Sequence, residues 1–476
     1  MKKKNKELIK NTIIIFLGKA CTQLISFLLL PLYTSTLSSS EYGIVDLVTT
    51  YITLLVPVIT LQLEMAIFRF LIDVRNDEDE KKNVITNAYI VVTIMVMVAT
   101  LIYMGICFVW DSEYKLYFYG MAVATIYSNL SLQVARGKGD NIGYAIGSII
   151  AGSTTVVLNV ILLLVAKMGI EAMFLSVIIS NLLCFIFLLI RENIWRSIKI
   201  QTLKKEKIKE LLRYSLPLVP NGLLWWIINV SDRTIISIIM GSAANGIYAI
   251  SNKFSSIIIG VYNIFNLSLT ESVSLYINDE DRDSYLSDLM SKIFKIFAYI
   301  CIETLLLMFI MFPILINSAY NEAYYYIPIL IIGTLFHILV SMLGTIYVAK
   351  KLTSEVAKTS LCAGILNIII NLACIKFIGI YAAAISTALA FGIMGIYRYI
   401  DVKKYVNIKF NIKMILEIII LFALSTIIYY INNTYINIIG AIVINIYIFI
   451  TNRKMILQVI NQLKNKFLNK KEKVLP

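Results

Sequence analysis

The chain has 476 residues, 59% of them hydrophobic and 15% charged, with a net charge of +14 and a mean hydropathy of +0.80. A soluble globular protein carries about a quarter of its residues as charges, so this composition indicates a polytopic membrane protein. At roughly 20 residues per span, fourteen spans leave about 14 residues for each gap or tail, which excludes a folded soluble head, and the positive charge belongs to membrane-flanking loops instead of a nucleic-acid-binding face.

Apolar runs bounded by polar, Gly or Pro residues fall at 11–34, 43–69, 84–109, 114–134, 142–166, 169–190, 214–240, 244–270, 288–316, 321–349, 357–378, 380–399, 411–431 and 435–451. Each is read as a helix, because a helix satisfies its own backbone hydrogen bonds in lipid and no barrel-type alternation is present. The first run has no small-residue cleavage site and is read as a retained span. With the N-terminus cytoplasmic, 37 of the 43 basic residues fall on one face and three (Lys115, Lys167 and Lys376) on the other. A wrong count would scramble that alternation, so an even number of spans with both termini in the cytoplasm is expected. The segment Ile194 to Leu212 and the tail, where Ile456, Val459, Ile460, Leu463 and Phe467 recur among lysines, read as interfacial helices on anionic lipid. The six cysteines lie singly in apolar runs, and the lone His337 reads as a packing residue, so neither a metal site nor a cofactor is expected.

Two short matches recur along the chain. Ser39-Ser40-Glu41-Tyr42-Gly43-Ile44 aligns with Ser242-Ala243-Ala244-Asn245-Gly246-Ile247 at an offset of 203, and Gly169-Ile170-Glu171-Ala172 with Gly379-Ile380-Tyr381-Ala382 at 210. The expected architecture is therefore all-α with about fourteen transmembrane helices. A six-helix lobe spans 1–192, a basic cytoplasmic linker 193–213 and a second six-helix lobe 214–401, followed by a helix pair at 402–451 and a basic amphipathic tail at 452–476. Lobes of the same orientation around a central cavity are a transporter architecture.

Ionisable groups inside spans are costly and so face a cavity or a partner. Lys19 lies about 13 Å into the first span at 1.5 Å per residue, on a stripe with Thr12, Ser26 and Tyr33. The second span carries Asp46, Thr49, Thr50, Thr53, Pro57, Thr60 and Glu64 on one expected face and closes on Arg69. The seventh carries Asn221, Trp225, Asn229 and Asp232, with Arg233 adjacent, and the eighth carries Lys253, Ser256, Gly260 and Asn263. These four polar helices occupy equivalent places in the two halves and point to a central basic cavity. The bland reading is that Lys19–Glu64 and Arg233–Asp46 are internal ion pairs. Lys253 fits it poorly, with only Glu303 as a carboxylate of similar depth in its own half.

The residues carry a resemblance. Asn11 to Gly43, containing Phe27-Leu28-Leu29-Leu30-Pro31-Leu32-Tyr33 and Ser40-Glu41-Tyr42-Gly43, resembles the opening of polysaccharide-biosynthesis flippases of the O-antigen (Wzx) type. Ser231-Asp232-Arg233, Asn245-Gly246-Ile247-Tyr248-Ala249, and Asn367 and Asn371 with Gly379-Ile380-Tyr381-Ala382-Ala383-Ala384 resemble the family's second half. The resemblance implies the multidrug/oligosaccharidyl-lipid/polysaccharide exporter fold and a cavity lined by cations, a role compatible with Lys19, Arg69, Arg233 and Lys253. Asp46, Glu64, Asn221, Trp225, Asn229, Asp232 and Asn263 would then be polar lining or ion-coupling groups. The implied substrate is an undecaprenyl-diphosphate-linked oligosaccharide, moved across a bacterial cytoplasmic membrane by a monomer, with membrane lipid as a further partner and a coupling cation left open. A cation-coupled drug exporter of the same fold calls for midplane carboxylates, where this chain has Lys19 and Lys253. A polysaccharide polymerase or glycosyltransferase needs a sizeable outer loop with a catalytic set, and every outer loop here is short. Arg136-Gly137-Lys138-Gly139-Asp140 lacks the spacing and Ser/Thr of a phosphate-binding loop.

The charge asymmetry makes a topological prediction. In a Cys-free variant, a cysteine at Asn433 reacts with an impermeant thiol reagent from outside, whereas cysteines at Lys205 and Lys466 do not; outside labelling at Lys205 would break the fourteen-span topology.

Overall fold

The computed structural model describes residues 27–109, 113–198, 201 and 203–471, without the side chains of 221, 224–229, 353 and 454–471. In chain order the helices are α1 (Leu30–Thr36), α2 (Ser39–Ile59), α3 (Leu63–Asp73), α4 (Glu78–Val109), α5 (Lys115–Lys138), α6 (Asn141–Val160, extended by a π turn, Ile161–Val165), α7 (Ile170–Arg191), α8 (Ile194–Ser197), α9 (Lys205–Ser215), α10 (Leu218–Met240), α11 (Ser242–Tyr276), α12 (Arg282–Leu315), α13 (Ile327–Ala349, preceded by a 3-10 segment, Ser318–Tyr326), α14 (Thr353–Ile378), α15 (Tyr381–Val402), α16 (Ile412–Ile431) and α17 (Thr434–Lys471). Among the described residues every element is helical, and ten helices are long and apolar enough to cross a membrane. The chain is a multi-pass membrane protein. Ten is a count over the described residues, which leave out most of the first of the fourteen runs expected from sequence; α5 and α11 are long enough, but their Ser, Asn and Tyr content lowers their hydropathy.

The second apolar run is not one helix. It breaks between α2 and α3, where Leu61 and Gln62 adopt φ of 52° and 57°, a left-handed region costly for residues with a Cβ. Pro57, one turn earlier, has no N–H to continue the ladder, and its carbonyl accepts from Gln62 N at 3.0 Å. The expected single polar face from Asp46 to Glu64 is therefore cut. Glu64, 9% exposed, sits in the first turn of α3 and accepts from Thr60 Oγ1 at 2.6 Å across the break.

The helices divide into two compact units. One comprises residues up to 286 with 315–408, and the other 287–314 with 409 onward. In the first unit, α2 to α5 and α7 share a core around Leu63, Ile67, Leu71, Ile85, Leu130 and Phe174. Ile194 and Leu211 join this core, Thr86 Oγ1 donates to Ser197 O at 2.7 Å, and Lys204 N donates to Asn87 Oδ1 at 3.0 Å. Ile194 and Leu211 of the 194–212 segment thus dock on protein, while Trp195 and Leu203 stay exposed. α10, α11 and α13 to α15 build a second core around Ile236, Tyr248, Leu330 and Ala382–Ala384. In the second unit, Tyr299 OH donates to Glu417 Oε1 at 2.8 Å, Lys295 pairs with Glu417 at 3.1 Å, and Asn452 Nδ2 donates to Tyr299 OH at 2.9 Å.

α2 and α11 cross where the sequence repeats. A Cβ on Gly43 would strike Ser242 O and Gly246 N, and one on Gly246 would strike Ser39 O. The clashes are reciprocal: Ser39 and Gly43 stand at an offset of 203 from Ser242 and Gly246, so equivalent residues meet about a local two-fold. Small residues allow such close backbone approach in membranes. Asn245 Nδ2 donates to Gly43 O at 2.8 Å, and the Ser40 and Ser242 hydroxyls lie 2.6 Å apart. Around the same end, Tyr320 OH donates to Leu37 O at 3.0 Å and Asn317 N to Thr34 Oγ1 at 3.1 Å.

At the α5–α6 turn, Gly139 (φ 93°) ends α5 and Asp140 caps α6 by accepting from Gly143 N at 2.9 Å. Arg191 donates to both Asp140 oxygens, at 2.6 and 3.2 Å, and holds its carboxyl below the usual range. Asp140→Ala should cost about 1 kcal/mol, the worth of a lost cap, whereas Asp140→Asn keeps the cap. A depressed pKa contributes stability present above the unfolded value, about 4, and lost as pH falls through the folded value. In thermal unfolding in detergent, wild type should therefore lose its advantage over Asp140→Asn below about pH 4; an advantage unchanged down to pH 2 would remove the ion pair from the account.

Candidate functional site

Three charges gather beside the α2–α11 crossing. Arg233 on α10 pairs with Asp46 on α2, Nε to Oδ2 at 2.8 Å, with side chains 16% and 13% exposed. Lys253, one helix later on α11, feels both Asp46 and Arg233. Lys253 thus lies in the field of the same carboxylate without pairing to it, and the Arg233–Asp46 pair joins α2 to the second bundle. The Arg233–Asp46 reading is met, and the carboxylate near Lys253 comes from the other half of the sequence. Glu303 is engaged elsewhere, accepting from Asn445 Nδ2 at 3.1 Å.

Next to Arg233, a cavity of about 260 Å³ opens between α10, α11, α13 and α15, bordered by Asp232, Arg233, Tyr248, Asn263, His337 and Thr387. Asp232 is 4% exposed and accepts from Thr387 Oγ1 at 2.6 Å, Tyr248 OH at 3.0 Å and Asn371 Nδ2 at 3.0 Å. Asn367 Nδ2 donates to Thr387 Oγ1 at 3.0 Å, and the Oδ1 atoms of Asn367 and Asn371 are buried with no donor among the described residues. His337 stands edge-on to Phe391, ring centroids 4.9 Å apart, with a buried Nδ1 that has no partner among the described residues.

The remaining expected residues are dispersed. Lys19 lies outside the described residues, so its stripe with Thr12 and Ser26 is visible only at Tyr33, whose hydroxyl accepts from Asn159 Nδ2 at 3.0 Å. Asn221, Trp225 and Asn229 lie on α10, their side chains outside the description. Arg69, 47% exposed, pairs with Asp73 one turn along α3 at 2.5 Å. Glu64 is held at the α2–α3 break, away from the three-charge cluster in sequence register.

Sequence reasoning missed Arg398, which it counted among loop bases. The guanidinium is 3% exposed within α15, with its donors on Thr359 Oγ1 (2.7 and 3.0 Å), Ser360 Oγ (3.2 Å), Val340 O (3.0 Å) and Val356 O (3.2 Å). Its signal was spacing: Ala384, Ala388, Phe391 and Gly395 put Arg398 on the buried face of α15.

Residues 8–270, more than half of the chain, match the family described as polysaccharide biosynthesis protein. The chain belongs to that family. A search of curated protein sequences finds no match. Among solved structures, this family member is similar to the lipid II flippase MurJ in an inward closed conformation, with 17% identity and a TM-score of 0.69 over 94% of this chain and 100% of that one. An inward-facing MATE multidrug resistance transporter of the MOP superfamily is similar at 12% identity and a TM-score of 0.66, covering 84% of this chain and 95% of that one. A Vibrio cholerae MATE transporter variant is similar at 14% identity and 0.56, covering 84% and 96%. At such identities the likeness establishes the fold: the polysaccharide biosynthesis family member has a MATE- and MurJ-like transporter architecture.

Removing Asp232 would relieve a buried charge but orphan three donors, and the second effect is larger where the carboxylate is fully hydrogen-bonded. Asp232→Ala should lose on the order of 2 kcal/mol or more of stability and Asp232→Asn clearly less, as read by thermal unfolding of purified protein; an alanine variant as stable as wild type would show the three hydrogen bonds to be incidental.

Proposed function

We propose that the protein is a flippase that carries a polyprenyl-diphosphate-linked oligosaccharide from the cytoplasmic to the outer leaflet of a bacterial cytoplasmic membrane by alternating access. It makes and breaks no bond, works as a monomer with both termini cytoplasmic, and uses the bundles at 1–192 and 214–401 as its two rocking lobes. The observation that carries the reading is that Arg233 and Lys253 both lie in the field of Asp46 in a member of a polysaccharide biosynthesis family. Asp232, the other carboxylate beside Arg233, is already engaged by three side-chain donors, so a diphosphate, a dense anion, competes chiefly with Asp46 for both cations.

The consequence is mechanical. A substrate that draws Arg233 off Asp46 removes a tie between α2 and α10 beside the Gly43–Gly246 crossing. The basic-residue asymmetry puts that crossing on the outer side, so loosening it opens the path outward, and release lets Asp46 close it again. Lys19 and Arg69 are assigned as further cations along the path, with Asn221, Trp225, Asn229 and Asn263 as sugar-facing lining and Glu64 as a polar group at the α2–α3 break. The polyprenyl tail stays in membrane lipid. Asp232, the side-chain oxygens of Asn367 and Asn371, and the Thr387 hydroxyl form a set of hard oxygen donors suited to a small monovalent cation, and these residues would hold a coupling ion. The same carboxylate favours the second reading, a cation-coupled exporter of cationic drugs.

Export of polymer, measured with protein abundance, tests the proposal. Lys253→Ala and Arg233→Ala should each lower export by roughly tenfold or more while the protein accumulates, with Lys253→Arg retaining part. In a Cys-free background, Ser40→Cys with Ser242→Cys should cross-link on oxidation and stop export until reduced. Wild-type export from Lys253→Ala, or from the cross-linked protein, would remove the mechanism; proton- or sodium-driven uptake of a cationic dye without lipid-linked sugar transport would favour the drug exporter.

A further inference from the structure

The second unit carries a basic cleft that the transport cycle described above does not use. It has a volume of about 370 Å³ where the start of α12 meets the start of α16, and it is lined by Lys292, Lys295, Lys409, Ser287, Ser291 and Asn411. The walls are fixed to each other. Lys409 N donates to Ser287 Oγ at 3.0 Å, the Phe294 and Phe410 rings stand 6.0 Å apart, and Asn411 Oδ1 caps α16 by accepting from Lys413 N at 2.9 Å.

We propose that this cleft binds the phosphate headgroup of an anionic phospholipid. Among the described residues Asp288 is the one carboxylate in its lining, beside three lysines. Lys295 is committed, pairing with Glu417 at 3.1 Å with both side chains mostly covered. Lys292 pairs with Asp288 at 2.6 Å, but the two side chains are 59% and 65% exposed. An exposed pair of this kind is weak, so a phosphate can take Lys292 over. The capped first turn of α16 adds the positive end of a helix dipole to the same cleft. Ser287, Ser291 and Asn411 supply polar side chains of the size of a glycerol phosphate's neighbours.

A lipid fits better than a free anion because of what lies beside the lysines. Ile296 and Ile300, one and two turns farther along α12, and Ile412 and Leu416 on α16 are exposed large aliphatic side chains. A headgroup at the lysine level would lay its acyl chains against them, the arrangement of basic pockets between transmembrane helices that bind anionic lipids on the cytoplasmic side. The basic-residue asymmetry places the cleft on that side. The proposal needs only that the chain spans a membrane, so it stands or falls independently of the transported substrate.

The test uses full-length protein purified in detergent, wild type and Lys292→Ala with Lys409→Ala. Melting temperature is followed as phosphatidylglycerol, phosphatidylcholine or inorganic diphosphate is added, and lipid carried through purification is weighed by native mass spectrometry. Lys295 is left alone because it braces Glu417. Phosphatidylglycerol should raise the wild-type melting temperature and remain bound, phosphatidylcholine and diphosphate should not, and the double variant should bind phosphatidylglycerol roughly tenfold or more weakly, each lysine near an anionic surface adding its share. Without lipid the variant should melt as wild type does, since both lysines are exposed. If it does not accumulate, Lys409→Gln replaces it in the same titration. Equal phosphatidylglycerol binding by wild type and variant would overturn the site, and a diphosphate response that saturates and displaces the lipid would make it a free-anion site instead.

Discussion

Inside a bilayer a polar side chain has no water to fall back on, and an unmade hydrogen bond there costs its full desolvation. Lipid tails are as apolar as leucine, so hydrophobic burial hardly selects one helix neighbour over another. Polar pairings do much of that selecting here. Asp46 joins α2 to α10 through Arg233, Asp232 gathers α11, α14 and α15 around α10, and Arg398 binds α15 to α13 and α14. Glu64 spans the α2–α3 break with Thr60. In the second unit Glu417 does the equivalent, taking both Tyr299 and Lys295.

The Gly43–Gly246 crossing supplies a second constraint. Two backbones touch there without side chains between them, joined by one amide and one hydroxyl pair within a longer α2–α11 interface. The ionic tie, Asp46 to Arg233, lies three residues from Gly43 along α2. Charge and close backbone contact are thus concentrated at one place in the fold. This is why the flippase reading places recognition and opening at one point.

Some of this was legible in the residues. The composition and the spacing of apolar runs specified a polytopic helical protein, because lipid admits few backbone solutions and each leaves a period in the chain. The repeat was legible too, as was the Arg233–Asp46 pair, since a buried charge calls for a partner of opposite sign at similar depth. The burial of Arg398 went unrecognised because its partners are hydroxyls and carbonyls, which have no sequence signature. The docking of Ile194 and Leu211 on protein looked like docking on lipid, because an amphipathic pattern reports an apolar neighbour without saying which.

What the sequence determined by itself, then, was the kind of elements and the charges that could not be left alone, both set by the energetics of single segments in lipid. Only the tertiary structure decided that the carboxylate near Lys253 comes from the other half of the chain, that the second span breaks at Leu61 and Gln62, that repeat-related glycines touch, and that three lysines from α12 and the α15–α16 connection share one cleft. Each depends on which helices become neighbours and at what register, a choice made by many pairings at once across residues far apart in sequence.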